Sequence, residues 1–403
     1  MTTPSSLKRL SVLIAINFVD MIGFAIVLPL LPFYALKLHA SDFGVGMILA
    51  CYSVAQILSA PLWGRVSDLY GRRPALLIGL LASAAAYVVF GLADTLWLYF
   101  AMRLIQGAGG GTTGVAQAYV ADTIEPHERA KALGWLSAAT SAGVMLGPSI
   151  GSFAYAKFGH AAPGFVAAAL CLINAGFAWK WLPESHARPG ADAPPQARRP
   201  VWHAAWQVVR SPGQLSSRLI WIYGVGMLAF TSITAVLALY LKAEFQANET
   251  NIGYFYTFTG ALSLVMRSLL LGPIVERLGE PRTVRLGTLV LILGLVLYPQ
   301  PHTILLFVAV MPFVPIGTAL LFPSTTALLS HASSRAEYGT MMGVAQTFGG
   351  LARVAAPLIA TFVFQHVGHA WPFYVAAAFV AVAALMAMQI PVTVPARQPQ
   401  TSA

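Results

Sequence analysis

The chain has 403 residues, 57% of them hydrophobic and only 9% charged, against about 25% charged in an ordinary soluble domain. So little charge excludes a water-soluble globule, which would lack the polar surface to stay in solution. The net charge of +10 argues for a nucleic-acid partner only if the basic residues are not already explained by a membrane. In chain order, the sequence predicts apolar helices at residues 9–36, 43–63, 74–93, 96–120, 132–157, 162–182, 218–242, 251–274, 283–300, 303–329, 337–365 and 370–390. Each is long enough to cross a hydrocarbon core of about 30 Å. The first follows only Lys8 and Arg9, outruns a signal-peptide core and lacks a small-residue cleavage site, so it is expected to remain as a helix. Residues 183–200, rich in Pro, Ala and Arg, read as a flexible linker. After it, Val201, Trp202, Ala205, Trp206 and Val209 recur at helical spacing between Arg198, Arg199 and Arg210. That pattern predicts an amphipathic helix on the membrane surface, with an extension of span seven as the alternative. Cys51 and Cys171 fall inside spans, as small core hydrophobes rather than a disulfide framework.

Sorting the 24 Lys and Arg residues by this topology leaves only Lys37, Lys157 and Lys242 on one side, with Arg103, Arg267 and Arg353 inside spans. All the others fall on the opposite side, which the positive-inside rule makes cytoplasmic, together with both termini. The net charge is therefore topology, and no nucleic-acid partner is expected. The halves repeat: Gly64-x-x-x-Asp68-x-x-Gly71 joins spans two and three, and Gly272-x-x-x-Glu276-x-x-Gly279 joins spans eight and nine, 208 residues later. Gly147-Pro148 in span five answers to Ala356-Pro357 in span eleven, 209 residues later. An all-α polytopic protein follows, with a six-helix bundle at 1–182, a linker with a surface helix at 183–217, and a second bundle with a short tail at 218–403. Two such repeats place a substrate site near the midplane between them.

Several motifs have a physical reading of their own. In Gly64-Arg65-Val66-Ser67-Asp68-Leu69-Tyr70-Gly71-Arg72-Arg73, two glycines permit a tight reversal and an acid precedes two arginines. Asp68 there could serve as a latch against the positive end of a neighbouring helix dipole, made in one conformation and broken in another. Asp122, at the end of span four, is a natural partner for Arg72 or Arg129. Gly143, Gly147 and Gly151 line one face of span five, and Pro148 invites a bend there. The expectation is a smooth face against which the other half rocks.

These residues carry a resemblance. Asp20-x-x-Gly23-x-x-x-x-x-Pro29-x-x-Pro32, the Gly64–Arg73 loop, Arg103-x-x-Gln106-Gly107 and Gly143-x-x-x-Gly147-Pro148-x-x-Gly151 resemble the signatures of the major facilitator superfamily. Within it, the chain is most similar to the twelve-span drug:proton antiporters, the tetracycline exporters above all. Two departures stand out. Ser152 replaces a glycine usual in the fifth-helix motif, and span three lacks the acid that several tetracycline exporters carry. The resemblance implies export of small amphipathic drugs by alternating access in a bacterial inner membrane, driven by protons and acting as a monomer among lipids. No cofactor is implied, except that a divalent cation travels with tetracycline-like substrates.

Buried charge sets the expected mechanism. Asp20 is the single acid deep in a span, roughly 16 Å from the start of its helix. A charge at such depth costs at least about 2.5–3.5 kcal/mol, which makes function the default reading. Arg103 enters to a similar depth and is expected to pair with it, and neither has a counterpart at the repeat offset. Burial favours the neutral acid and a nearby guanidinium the carboxylate, so moving the arginine would move the proton. Arg267 reads as snorkelling to an interface; Arg353 lies deeper, with no membrane acid to pair with. Asn17 and Phe24 of span one, Tyr52, Gln56, Ser59 and Trp63 of span two, Gln106, Phe230, Thr231, Gln346 and Arg353 are candidate cavity residues, a mixed aromatic and amide lining. No phosphate-binding loop or metal-ligand spacing is found, and no enzymatic activity is expected. Import of a sugar or metabolite is the alternative within transport; a non-transporting scaffold or receptor is the alternative outside it.

Overall fold

The computed structural model describes residues 4–110, 113–125, 128–185, 201–333 and 335–391. Linker residues 186–200 and the tail after 391 lie outside them, with Arg188, Arg198, Arg199 and Arg397. So do the side chains of Lys8, Arg9, Lys131, Val201, Trp202 and Arg335.

The described residues form helices joined by short turns, in the expected order. Span one runs Pro4–Val27, breaks at the Pro29 turn and resumes as Leu31–Lys37 with Pro32 in its first turn, where a missing N–H is harmless. Spans two and three are Asp42–Tyr70 and Arg72–Leu92. Span four is split into Leu96–Gly109 and Thr113–Thr123. Spans five and six are Arg129–Phe158 and Ala162–Trp181. The amphipathic segment is a separate helix, Val201–Arg210, ended by a turn before span seven, Leu215–Phe245. Span eight passes from Ile252–Val265 through a π-helical turn, Met266–Leu270, to Leu271–Leu278. Spans nine to twelve are Glu280–Leu297, Ile304–Val310 continued by Phe313–Ala332, Arg335–His366 and Trp371–Met388.

Length and composition alone qualify nine of these segments, among the described residues, as membrane-crossing. Span four misses because it is broken, span five because its Gly, Ser and Thr residues lower its hydropathy, and span nine because it opens on Glu280, Arg282 and Arg285. Large apolar side chains point outward along the helices, Leu58, Leu62 and Leu385 among them. Trp97 and Trp371 are exposed at span starts on one side, and Trp179 and Trp206 on the other, as an aromatic belt requires.

Packing divides the chain into two compact units, Met1–Pro194 with Leu237–Leu264, and Pro195–Val236 with Val265–Ala403. The end of span seven and the start of span eight thus pack with the first six helices. In the first unit, Leu13, Ile16, Leu76, Leu80, Tyr119 and Leu136 build the core on the side of the Arg-rich loops. A smaller core in the second unit joins Met266, Ala319 and Leu320.

Candidate functional site

Asn17 ties span one to span five, its amide donating to the Leu136 carbonyl (3.2 Å) and to Thr140 Oγ1 (2.7 Å). One turn on, Asp20 lines two cavities of about 30 Å³ each, room for one or two waters. Leu13, Asn17, Leu76 and Ala116 wall the first. Phe24, Tyr52, Ser83, Tyr87 and Gln106 wall the second, farther along span one. Asp20 thus borders both spaces, the first mostly apolar and the second richer in hydroxyl and amide groups.

Arg103 is 3% exposed. Its guanidinium stands over the Tyr52 ring, 4.5 Å from the centroid, a cation–π contact, and donates to Gln106 Oε1 at 2.8 Å. Gln106 Nε2 donates to the Tyr87 hydroxyl at 2.9 Å, and Tyr87 is an electrostatic neighbour of Asp20. The expected direct Asp20–Arg103 pair is not formed among the described residues. Tyr52 and Gln106 hold the guanidinium, and the Gln106–Tyr87 hydrogen bond extends it toward the acid. Gln56 donates to Tyr52 and to the Gly110 carbonyl, each at 3.2 Å, and Phe24 packs 5.4 Å from Tyr52. Ser59 and Trp63 bond span-four carbonyls. Tyr87 had escaped notice because span three lacks acids; its signal was polar Ser83 and Tyr87 on the face that carries Leu76 and Leu80.

The loop after span two is shorter than expected. Gly64 lies inside the helix with open space beside it, so Gly71 alone makes the reversal, at φ +106°, where glycine is strongly favoured. Arg72 sits at the centre of the resulting network. Its guanidinium donates to Asp68 Oδ1, to Ser67 Oγ (2.6 Å) and to Asp122 Oδ2 (3.0 Å). Asp122 thus pairs with Arg72, whereas Arg129 donates to the Ile124 carbonyl (3.1 Å) at the end of span four. Glu184, which sequence reasoning missed, accepts the backbone N–H of Arg72 (2.8 Å) and Arg73 (3.2 Å), capping span three with charge opposite to its dipole. Arg73 reaches the Trp179 carbonyl at the end of span six.

Comparison with known proteins matches this architecture. The Major Facilitator Superfamily profile covers residues 13–314 and 219–403. The chain belongs to the Major Facilitator Superfamily. It is 29% identical over 373 residues to the class G tetracycline resistance protein of Vibrio anguillarum, covering 90% of this chain and 92% of that one. It is 28% identical over 371 residues to multidrug resistance protein 2 of Bacillus subtilis, covering 88% of each. Among solved structures, the human organic anion transporter MFSD10 aligns with a TM-score of 0.72 at 23% identity, over 96% of this chain and 100% of that one; this shows the shared fold.

The superfamily's fifth-helix motif is resolved into two faces. Side chains at Gly143, Gly147 and Gly151 would collide with Phe18, Ile22, Ala25 and Ile26, so the glycine face packs on span one of the same half. This corrects the expectation that the glycines meet the other half. The adjacent face meets span eight. Ser152 Oγ accepts the Gly253 N–H (3.0 Å), Ser149 and Thr257 hydroxyls lie 2.6 Å apart, and Thr257 donates to the Met145 carbonyl (2.9 Å). On the same face, the Pro148 carbonyl packs against Gly253. Ser152 is thus a contact that a glycine could not make.

On the side opposite the basic loops, Lys37 pairs with Glu249 (2.5 Å) and donates to the Tyr155 hydroxyl (2.8 Å). Glu249, 8% exposed, comes from the turn between spans seven and eight. Tyr34 stacks on His160, centroids 4.0 Å apart. His160, outside the spans, is held below the ordinary histidine range by burial and then by Lys37.

In the second unit, Phe230 is 39% exposed and meets Phe322 edge-on at 6.2 Å; Phe322 meets Tyr223 at 5.6 Å. Thr231 beside it is half-buried. Gln346 lies within hydrogen-bonding reach of the Tyr223 hydroxyl, and Arg353 and Arg267 are its charged neighbours. Arg267 is half-buried in the π-helical turn, roughly 16 Å before the helix ends at Leu278, and its Nε is shielded without a hydrogen bond among the described residues.

Proposed function

We propose that this chain is a proton-coupled exporter of small amphipathic drugs, working as a monomer in a bacterial inner membrane with both termini cytoplasmic. The observation that carries the reading is Asp20, a membrane-depth carboxyl that lines two water-sized cavities and lies near the Arg103–Gln106–Tyr87 hydrogen-bond chain. Such a group takes a proton through one cavity and passes it to the other when the helices rearrange. The relay supplies the coupling: drug against Tyr52 or Gln106 would draw Arg103 away from the acid or toward it, changing which protonation state is favoured. One proton crossing the membrane supplies about 2.3 kcal/mol per 100 mV, about fifty-fold in drug gradient. Similarity to tetracycline and multidrug resistance proteins supports drugs as the cargo.

The test is uphill efflux from proteoliposomes with an imposed proton gradient, with and without an uncoupler. Asp20→Asn should abolish accumulation against the gradient while downhill exchange continues. Undiminished uphill transport by that variant would place the coupling proton elsewhere.

A further inference from the structure

The two units treat buried charge differently. In the first, Asp20 is close to a relay that ends on Arg103. In the second, Arg267 and Arg353 occupy the membrane interior, and no acid accompanies them among the described residues: Glu276, Glu280 and Glu337 all sit near helix ends. Arg353 lies roughly 20 Å from the nearer end of span eleven. Neither guanidinium has an ion-pair partner among the described residues, and Arg267 Nε is buried without any hydrogen bond. Both act electrostatically on one side chain, Tyr223 of span seven.

Local backbone features serve this meeting. Arg267 is carried by a π-helical turn, a distortion that costs regular hydrogen bonding and recurs at functional positions. On span eleven, a Cβ at Gly349 would lie 3.1 Å from Tyr223 Cε1 and 3.9 Å from Arg353 Nη1. Glycine there lets the phenol and the guanidinium lie together against the helix. Phe322, edge-on to Tyr223, provides an apolar wall, and Gln346 a neutral amide. Two fixed cations, a hydroxyl donor and an aromatic wall, without a carboxylate, lack a negative charge. Arginine is the residue suited to supply it from a planar oxyanion, through its forked donors.

We propose that Arg267, Arg353 and Tyr223 form an anion-binding subsite that takes the carboxylate, sulfonate or ionised enol of a planar aromatic solute. The subsite deepens the export reading by naming the charge class of the cargo. The depth of both arginines makes a dissolved solute, not a lipid headgroup, the source of the anion.

Two xanthene dyes of opposite charge, fluorescein (anionic) and rhodamine 6G (cationic), are the probes. Binding is measured by fluorescence anisotropy on the full chain in nanodiscs of zwitterionic lipid. The wild type should bind fluorescein at least tenfold more tightly than rhodamine 6G. Arg267→Gln and Arg353→Gln should each weaken fluorescein at least tenfold and leave rhodamine 6G within threefold, which also shows that the variants are folded. Arg353→Lys should recover part of the loss, and Tyr223→Phe should weaken fluorescein to a lesser degree. Repeating the titration with anionic lipid should leave fluorescein affinity unchanged; competition by the lipid would assign the subsite to headgroups and overturn the proposal. Loss of both dyes together, preference for rhodamine 6G, or no saturable fluorescein binding would also overturn it. Binding needs no proton gradient, so Asp20→Asn should keep the dye preference. Failure of the dye test leaves uphill export intact, and failure of export leaves the dye test standing.

Discussion

The two loops at positions 64–73 and 272–281 share a backbone and differ in chemistry. Gly71 and Gly279 both end a helix with positive φ, +106° and +75°, and in both units an arginine bonds the end of the last helix. Arg73 reaches the Trp179 carbonyl, and Arg285 those of Ala387, Met388 and Ile390. The position of Arg72 is taken by Glu280, however, and that of Asp122 by His331, which pair at 3.3 Å. The acid has changed places and the contact is thinner: Arg72 collects Asp68, Ser67 and Asp122, while Glu276, the equivalent of Asp68, has no partner among the described residues. The repeat retains the turn geometry because only glycine satisfies it. Charge was free to diverge, and the chain keeps its multivalent network in the first half.

That contrast can be broken by neutralising equivalent positions. Arg72→Ala leaves Asp68 and Asp122 facing each other without a cation and should lower initial efflux rates in proteoliposomes at least tenfold. Glu280→Gln should lower them less than threefold, since it removes one half-exposed pair. Equal losses would mean that the loops are functionally symmetric.

A second comparison sets the two sides of the first unit against each other. Opposite the Arg72 network, the ion pair of Lys37 with buried Glu249 ties the span seven–eight turn to span one. Lys37→Ala leaves that carboxylate unpaired, a change of about 1–3 kcal/mol for a partly buried pair, and thermal unfolding in detergent should fall by several degrees. Adding Glu249→Gln should restore much of the loss, because the two residues act as a unit. Additive losses would show that the pair contributes little.

The smallest expected effect is pH dependence in the same cluster. The folded protein holds His160 below the ordinary histidine range, so the unfolded chain takes up a proton more readily. Its contribution to stability is full above about pH 6.5 and declines as the pH falls through that value. Melting temperatures between pH 7.5 and 5.5 should therefore drop slightly more in the wild type than in His160→Gln. Parallel curves would remove His160 from the account.

Much of the site was legible because the bilayer makes buried charge conspicuous. Asp20, Arg103, Arg353 and the Arg72–Asp122 pair stand out in a chain that is only 9% charged. Neutral partners are not conspicuous. Tyr87, Gln106 as a bridge, Ser152 and Tyr223 look like ordinary span residues until a neighbouring helix places a donor or acceptor beside them. Glu184 was hidden for another reason: it closes span three from more than a hundred residues away.

Sequence alone determined the number of spans and the half-chain repeat, and its loop charges carry the expected sidedness. These follow from the hydrocarbon thickness, the charge bias of loops and the helical hydrogen-bonding rule in lipid, all local along the chain. Only the tertiary structure decided which groups meet: that Arg103 contacts Gln106 and Tyr52 and not Asp20, that the glycine face of span five packs on span one, and that Arg267 falls in a π-helical turn. Such choices turn on rotations and shifts of a few ångströms between helices whose apolar surfaces are interchangeable to lipid. Packing and hydrogen bonds across the chain, rather than hydrophobic pattern, select among them.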